Sequence, residues 1–169
     1  MTGVLQVGEP LGFMWIERRI RMNTVEIVYD SPFRFWVESL NMVIRLLDMV
    51  RTAVGIVADF GFEAQTCRVG GGVHELDTGY EEFHQVYGSF AELERCLIDD
   101  YRAMEASLRG TWLSTLNFEY IEIQLVRNTE RDTMRFCRGT MKLSGYFRDP
   151  DEIAAIETEL KAALVTKEN

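Results

Sequence analysis

The only two histidines of this chain, His74 and His84, bracket a run of acids that includes Glu75, Asp77 and Glu81. Imidazole and carboxylate together are ligands suited to a divalent cation. The spacing argues against such a site: there is no HxH, HxxxE or HExxH pattern, and a helix through these positions would scatter the side chains. Val69-Gly70-Gly71-Gly72-Val73, just upstream, could turn backbone amides toward a phosphate. It lacks the lysine and hydroxyl residue of a P-loop and the spaced glycines of a dinucleotide fold, so a flexible loop is expected. Cys67, with His74 or His84 as its base, would be a thiol nucleophile, but it falls in a predicted strand, where cysteine ordinarily serves as a small buried hydrophobe. A ligand-binding or metal-dependent enzyme built on Gly70–Gly72, His74 and the nearby acids therefore stands as an alternative. No catalytic residue, metal ligand or cofactor is assigned.

Charge gives a clearer signal. Residues 75–105 hold Glu75, Asp77, Glu81, Glu82, Glu92, Glu94, Asp99, Asp100 and Glu105 against Arg95 and Arg102, a net of −7 within a chain total of −9. A localised negative field selects partners by sign and speeds their encounter. The same stretch carries Tyr80, Phe83, Tyr87, Phe90 and Tyr101, aromatic residues able to anchor a contact. Helical spacing turns Glu92, Arg95, Asp99 and Arg102 into a self-paired solvent stripe. The partner-binding candidates that remain are Glu75, Asp77, Tyr80, Glu81, Glu82, Glu94, Asp100 and Glu105. Arg127, Arg131, Arg135 and Arg138 gather at the expected tip of a later hairpin, opposite in sign to the acidic block.

Composition narrows the function class. A chain of 169 residues, 47% hydrophobic and 27% charged, is long enough for one domain with a substantial core. No apolar run approaches the ~18 residues of a spanning helix. Arg18, Arg19 and Arg21 follow the apolar Phe13–Ile16 rather than preceding it, which is not a signal peptide's layout. Cys67, Cys96 and Cys137 are odd in number and far apart, as expected of reduced thiols in a cytoplasm. A pI near 4.8 disfavours nucleic acid and anionic membrane as partners.

The elements that must position these residues follow from periodicity. Residues 1–21 read as an N-terminal extension broken by Gly3, Gly8, Pro10 and Gly12, and residues 22–169 as a single domain. Thr24–Asp30 alternates as a first strand around Val25, Ile27 and Tyr29. Ser31-Pro32 opens a long helix whose apolar seam runs Phe33, Trp36, Leu40, Val43, Leu47, Val50, Val54 and Val57, ending at Gly61. Its apolar arc exceeds half its girth, so more than one side must be covered. Phe62–Val69 is a second strand, and residues 73–88 give no clear pattern. Ser89-Phe90-Ala91-Glu92 is a capping box for a helix closing at Gly110. From Phe118, Ile121, Ile123 and Leu125 alternate. A return strand carrying Cys137, Met141, Leu143 and Phe147 pairs with them about Arg131, through an odd-length loop that sets Glu122 near Arg138 and Lys142. Asp149-Pro150-Asp151-Glu152 starts a last helix.

The expected fold is α+β: a small mixed sheet in β-α-β-α-β-β-α order, with the long helix and two further helices packed on it. The expected function is that of a non-enzymatic cytoplasmic interaction protein whose acidic, aromatic-bearing surface binds, and in the concrete version inhibits or neutralises, a basic partner protein. Small size, acidity and the lack of a catalytic set make this layout similar to that of immunity proteins of bacterial toxin systems, with no motif behind the likeness. A homodimer or assembly subunit joined through the long helix is the remaining alternative.

Overall fold

The computed structural model describes residues 23–29, 40–75, 79–108 and 114–165. The N-terminal extension, the Ser31-Pro32 helix start, Asp77 and the Gly110 terminus all lie outside them. Six strands, β1 (Asn23–Val28), β2 (Glu63–Glu75), β3 (Gly79–Tyr87), β4 (Ser114–Arg127), β5 (Glu130–Cys137) and β6 (Thr140–Gly145), form one sheet. Its order is β1-β6-β5-β4-β2-β3, and every neighbouring pair is antiparallel. The described residues also form three helices, α1 (Leu40–Asp59), α2 (Phe90–Leu108) and α3 (Pro150–Leu164). The α+β character stands. The small mixed sheet does not: the sheet is large and wholly antiparallel, and the order is β-α-β-β-α-β-β-β-α.

Two misread regions account for the difference. The glycines expected to form a loop lie inside β2, paired on one side with β3 and on the other with β4. Side-chain volume explains why glycine is needed there: a Cβ on Gly70 would overlap the Tyr120 ring, and one on Gly72 the Tyr80 ring. The single return strand expected after β4 is in fact two strands, separated by the Arg138-Gly139 turn with Gly139 at φ 77°. The preceding turn has two residues, Asn128 (φ 59°) and Thr129, so Leu125 faces Asp132, Ile123 faces Met134 and Ile121 faces Phe136. These pairs sum to an odd number, which overturns the even-sum register about Arg131 and places Met134 and Phe136 in the core. Glu122 accordingly sits opposite Arg135 rather than near Arg138 and Lys142.

The elements read from capping and spacing hold. Val25, Ile27 and Tyr29 are buried from β1. α1 ends in a Schellman arrangement, with Gly61 at φ 94°, its N–H on Ala58 O and the Phe62 N–H on Val57 O. At the start of α2 the Ser89 hydroxyl accepts from Glu92 N at 3.1 Å, while the Glu92 carboxylate accepts from Gly88 N at 2.8 Å. Asp149 caps α3 through Asp151 N at 2.9 Å, ahead of Pro150. Val43, Leu46, Leu47, Val50, Ala53 and Val57 of α1 are buried against the rest of the chain, and Met49, Val54 and Ile56 pack on the same core. Coverage of the long helix thus comes from within the chain.

Burial assigns the two faces of the sheet. Ile27, Val69, Phe118, Ile123, Phe136 and Met141 face the helices and are buried. Strand alternation sends Glu26, Arg68, Tyr120, Glu122, Arg135 and Lys142 to the other face, over which no described helix lies. A register shift between Gly70 and Gly71 inserts one extra residue into β4, so that the buried positions change from even (Leu116, Phe118) to odd (Ile121, Ile123, Leu125) while staying on the helix side.

Candidate functional site

β3 ends the sheet. Its inner side pairs with β2 from Gly79 to Tyr87, and among the described residues nothing pairs with its outer side. Eight of its nine residues are exposed or half-buried. Phe83 stacks on Phe118 at 6.3 Å, which in turn meets Tyr101 of α2 edge-on at 6.2 Å, so this strand is fastened to the core through its helix-side residues. Tyr87 is buried and donates its hydroxyl to Asp100 at 2.6 Å. Burial, with that carboxylate beside it, pushes the Tyr87 hydroxyl well above the usual tyrosine range.

The members of the acidic and aromatic candidate set whose side chains are described divide between β3 and α2. Glu81 and Glu82 are exposed side by side on β3, and Glu105 is exposed on α2. Among the described residues Glu81 and Glu105 enter no ion pair, and Glu82 has only His84 within 3.6 Å. Glu94 turns to Arg51 of α1, which also holds Asp48 at 2.6 Å. Asp100 is taken up by Tyr87. Tyr80 donates to Glu119 at 2.6 Å, and that bond, with some desolvation, pushes its hydroxyl up to about 12. The backbone of Glu75 pairs with Gly79 and Ser114, but its side chain, like that of His74, lies outside the described residues. The expected ion-pair stripe on α2 is not formed either: among the described residues no ion pair joins Glu92, Arg95, Asp99 and Arg102, and Glu92 serves the helix cap.

The arginines are likewise spread out. Arg127 is half-buried and bidentate on Glu152 at 2.6 and 3.0 Å, donates to Phe60 O and lies 4.4 Å over the Phe62 ring. It staples the end of α1, β4 and the start of α3, and takes no part in a basic hairpin tip. Arg135 sits on the open face, 4.1 Å from the Tyr120 ring centre and 3.1 Å from Glu122. Arg138 belongs to the turn at the far end of β5.

Periodicity missed the network on this open face. Tyr120 and His84 meet at 3.1 Å across β2, Arg135 covers Tyr120, and Glu122 is shared by Arg135 and by Arg68 at 3.6 Å. The signal was available in the two glycines at alternate positions, Gly70 and Gly72, which make room for rings crossing from the neighbouring strands.

Neither chemical alternative gains geometry among the described residues, which leave out the His74 and Glu75 side chains and Asp77. His84 pairs in register with Gly70 and His74 with Tyr80, four positions apart along β2 or ~13 Å at strand rise. No cluster of three or more His, Cys, Asp or Glu side chains able to hold a metal is found among the described residues. Cys67 is fully buried, and desolvation pushes its thiol up to about 12, the behaviour of an inert core residue. No helix among the described residues is long and apolar enough to cross a membrane. No family model, curated protein or solved structure matches this chain.

Proposed function

We propose that this chain is a non-enzymatic interaction protein of the cytoplasm that binds a basic partner protein through the acidic, exposed edge formed by β3, acting as an inhibitor or neutralising partner. The observation that carries this reading is the adjacency of Glu81 and Glu82, neither of which meets a lysine or arginine among the described residues, on a strand whose outer side no described strand pairs with. Their carboxylates are free to meet an incoming cation, whereas those of Glu94 and Asp100 are already engaged inside the molecule. Exposed acids of this kind contribute little to folding and chiefly set association rate and specificity.

The test is co-purification of the full chain from its native host at low and at high salt. A partner held by this edge is recovered at low salt, released at high salt, and lost when Glu81, Glu82 and Glu105 are reversed to lysine. An identical set of bound proteins for the reversed and the unaltered chain contradicts the reading.

A further inference from the structure

One hydrogen bond fixes the direction of the backbone groups on β3. Tyr29 continues β1 with its side chain on the helix side, and its N–H donates to Gly139 O at 3.1 Å, toward β6. For an L-residue in a strand, chain direction and side-chain face together decide to which side N–H and C=O point. Strand direction alternates across an antiparallel sheet, so that choice can be carried from β1 to β3. The two-residue turns 128–129 and 138–139 agree, since both close on hydrogen-bonded pairs under the same assignment. On β3 the residues facing the helices, Glu81, Phe83, Gln85 and Tyr87, direct N–H and C=O inward to β2. Tyr80, Glu82, His84 and Val86, facing the open side, direct theirs outward. Glu82, His84 and Val86 thus present regularly spaced outward donors and acceptors that nothing among the described residues takes up.

Resting on the interaction reading above, we infer that the partner binds by strand addition: an extended basic segment of the partner protein pairs with the outer side of β3 and continues the sheet. Charge selects this occupant. Glu81 and Glu82 project to opposite faces of the sheet edge, so two consecutive lysines or arginines on an added strand meet one carboxylate on each face. Exposed Val86 and half-buried Phe83 offer apolar contact further along, again one on each face. Pairing of two copies through β3 would instead gather four glutamates along one seam, the usual way an edge strand is kept from self-association.

The probe is a blocked nine-residue peptide of threonine and valine with one adjacent lysine pair, titrated calorimetrically against the full chain. Its counterpart is N-methylated at alternate amides, which keeps the charge and removes the pairing donors. Binding of the first peptide at low salt is expected, with affinity reduced about tenfold or more by N-methylation, by Val86→Pro and by His84→Pro, because each removes ladder hydrogen bonds. Val86→Pro keeps the fold, since the N–H it loses points away from β2, and its unchanged melting temperature verifies this; His84→Pro gives up the Tyr120 contact as well. The pair Glu81→Lys and Glu82→Lys is expected to abolish binding. If charge reversal abolishes binding while N-methylation and proline leave it intact, the partner docks by side chains alone and strand addition is overturned, with the parent reading standing. If charge reversal has no effect, or neither peptide binds, the parent reading falls as well. A chain that dimerises with rising concentration, and ceases to do so as Val86→Pro, has a second copy as its occupant and overturns the proposal.

Discussion

α2 and β3 carry the acids that the sequence places in a single block, yet the two elements treat them differently. On α2, Glu92 completes the helix cap, Glu94 bridges to Arg51 and Asp100 receives the Tyr87 hydroxyl. These carboxylates join α2 to its own start, to α1 and to β3. On β3, Glu81 and Glu82 meet no lysine or arginine among the described residues and stand at the edge of the described sheet. Charge density along the chain marks where acids are; only the fold decides which are spent on structure and which stay available to a partner. Among the arginines, Arg127 is likewise spent on structure, locked between α1, β4 and α3.

The largest effect that sharpens this contrast comes from the backbone of β3. Gln85→Pro removes an N–H directed at β2 and is expected to cost ~3 kcal/mol, while Val86→Pro, one residue on, costs little. Denaturant unfolding of the two variants reads the difference, and equal losses would break the assigned direction of the strand. Next in size is Tyr87→Phe, which strips the half-buried Asp100 of its donor and is expected to cost ~1–2 kcal/mol.

A third test concerns an acid buried on the helix side. Asp132 accepts from Tyr146 N at 3.0 Å and fills the space left by Gly145, where any Cβ would overlap its carboxylate. Burial raises its pKa above the ordinary value of 3.8, only partly offset by the Tyr146 N–H and the charge of Arg127. For an acid shifted this way, the stabilising contribution is complete below the unfolded pKa and lost as pH rises through the folded one. The melting temperature of the parent chain should therefore fall relative to that of Asp132→Asn as pH rises from the normal aspartate range to values above it. Parallel curves would show that this carboxylate is not paying a desolvation penalty. The smallest effect is expected at the proposed interface: Glu81→Lys with Glu82→Lys changes stability by no more than about 0.5 kcal/mol while removing the partner.

Much of the helical layer was legible because its signals are local. Asp149-Pro150 and Ser89 with Glu92 mark helix starts, Gly61 marks a helix end, and the 3-4 spacing of Val43, Leu47, Val50 and Val57 gives the buried seam of α1. The sheet was harder to read because its missing pieces depend on non-local neighbours. β3 shows little alternation, since an edge strand buries only Tyr87 fully and Phe83 in part. Gly70 and Gly72 resemble a loop until Tyr120 and Tyr80 are seen to lie across them. The β5–β6 turn was hidden by taking Cys137 as the core residue when Met134 and Phe136, of the opposite parity, occupy that position. For the site, the composition of the acidic block was readable but its division between α2 and β3 was not, because Arg51 and Tyr87 reach their acids from elsewhere in the chain.

The most direct measurement is amide hydrogen exchange of the free full chain, resolved along β3. The account predicts alternation: Glu82, His84 and Val86 exchange freely while Phe83, Gln85 and Tyr87 are protected by β2. Uniform protection along the strand would mean that its outer side is already paired in the free chain, and the acidic edge would not be open to any partner.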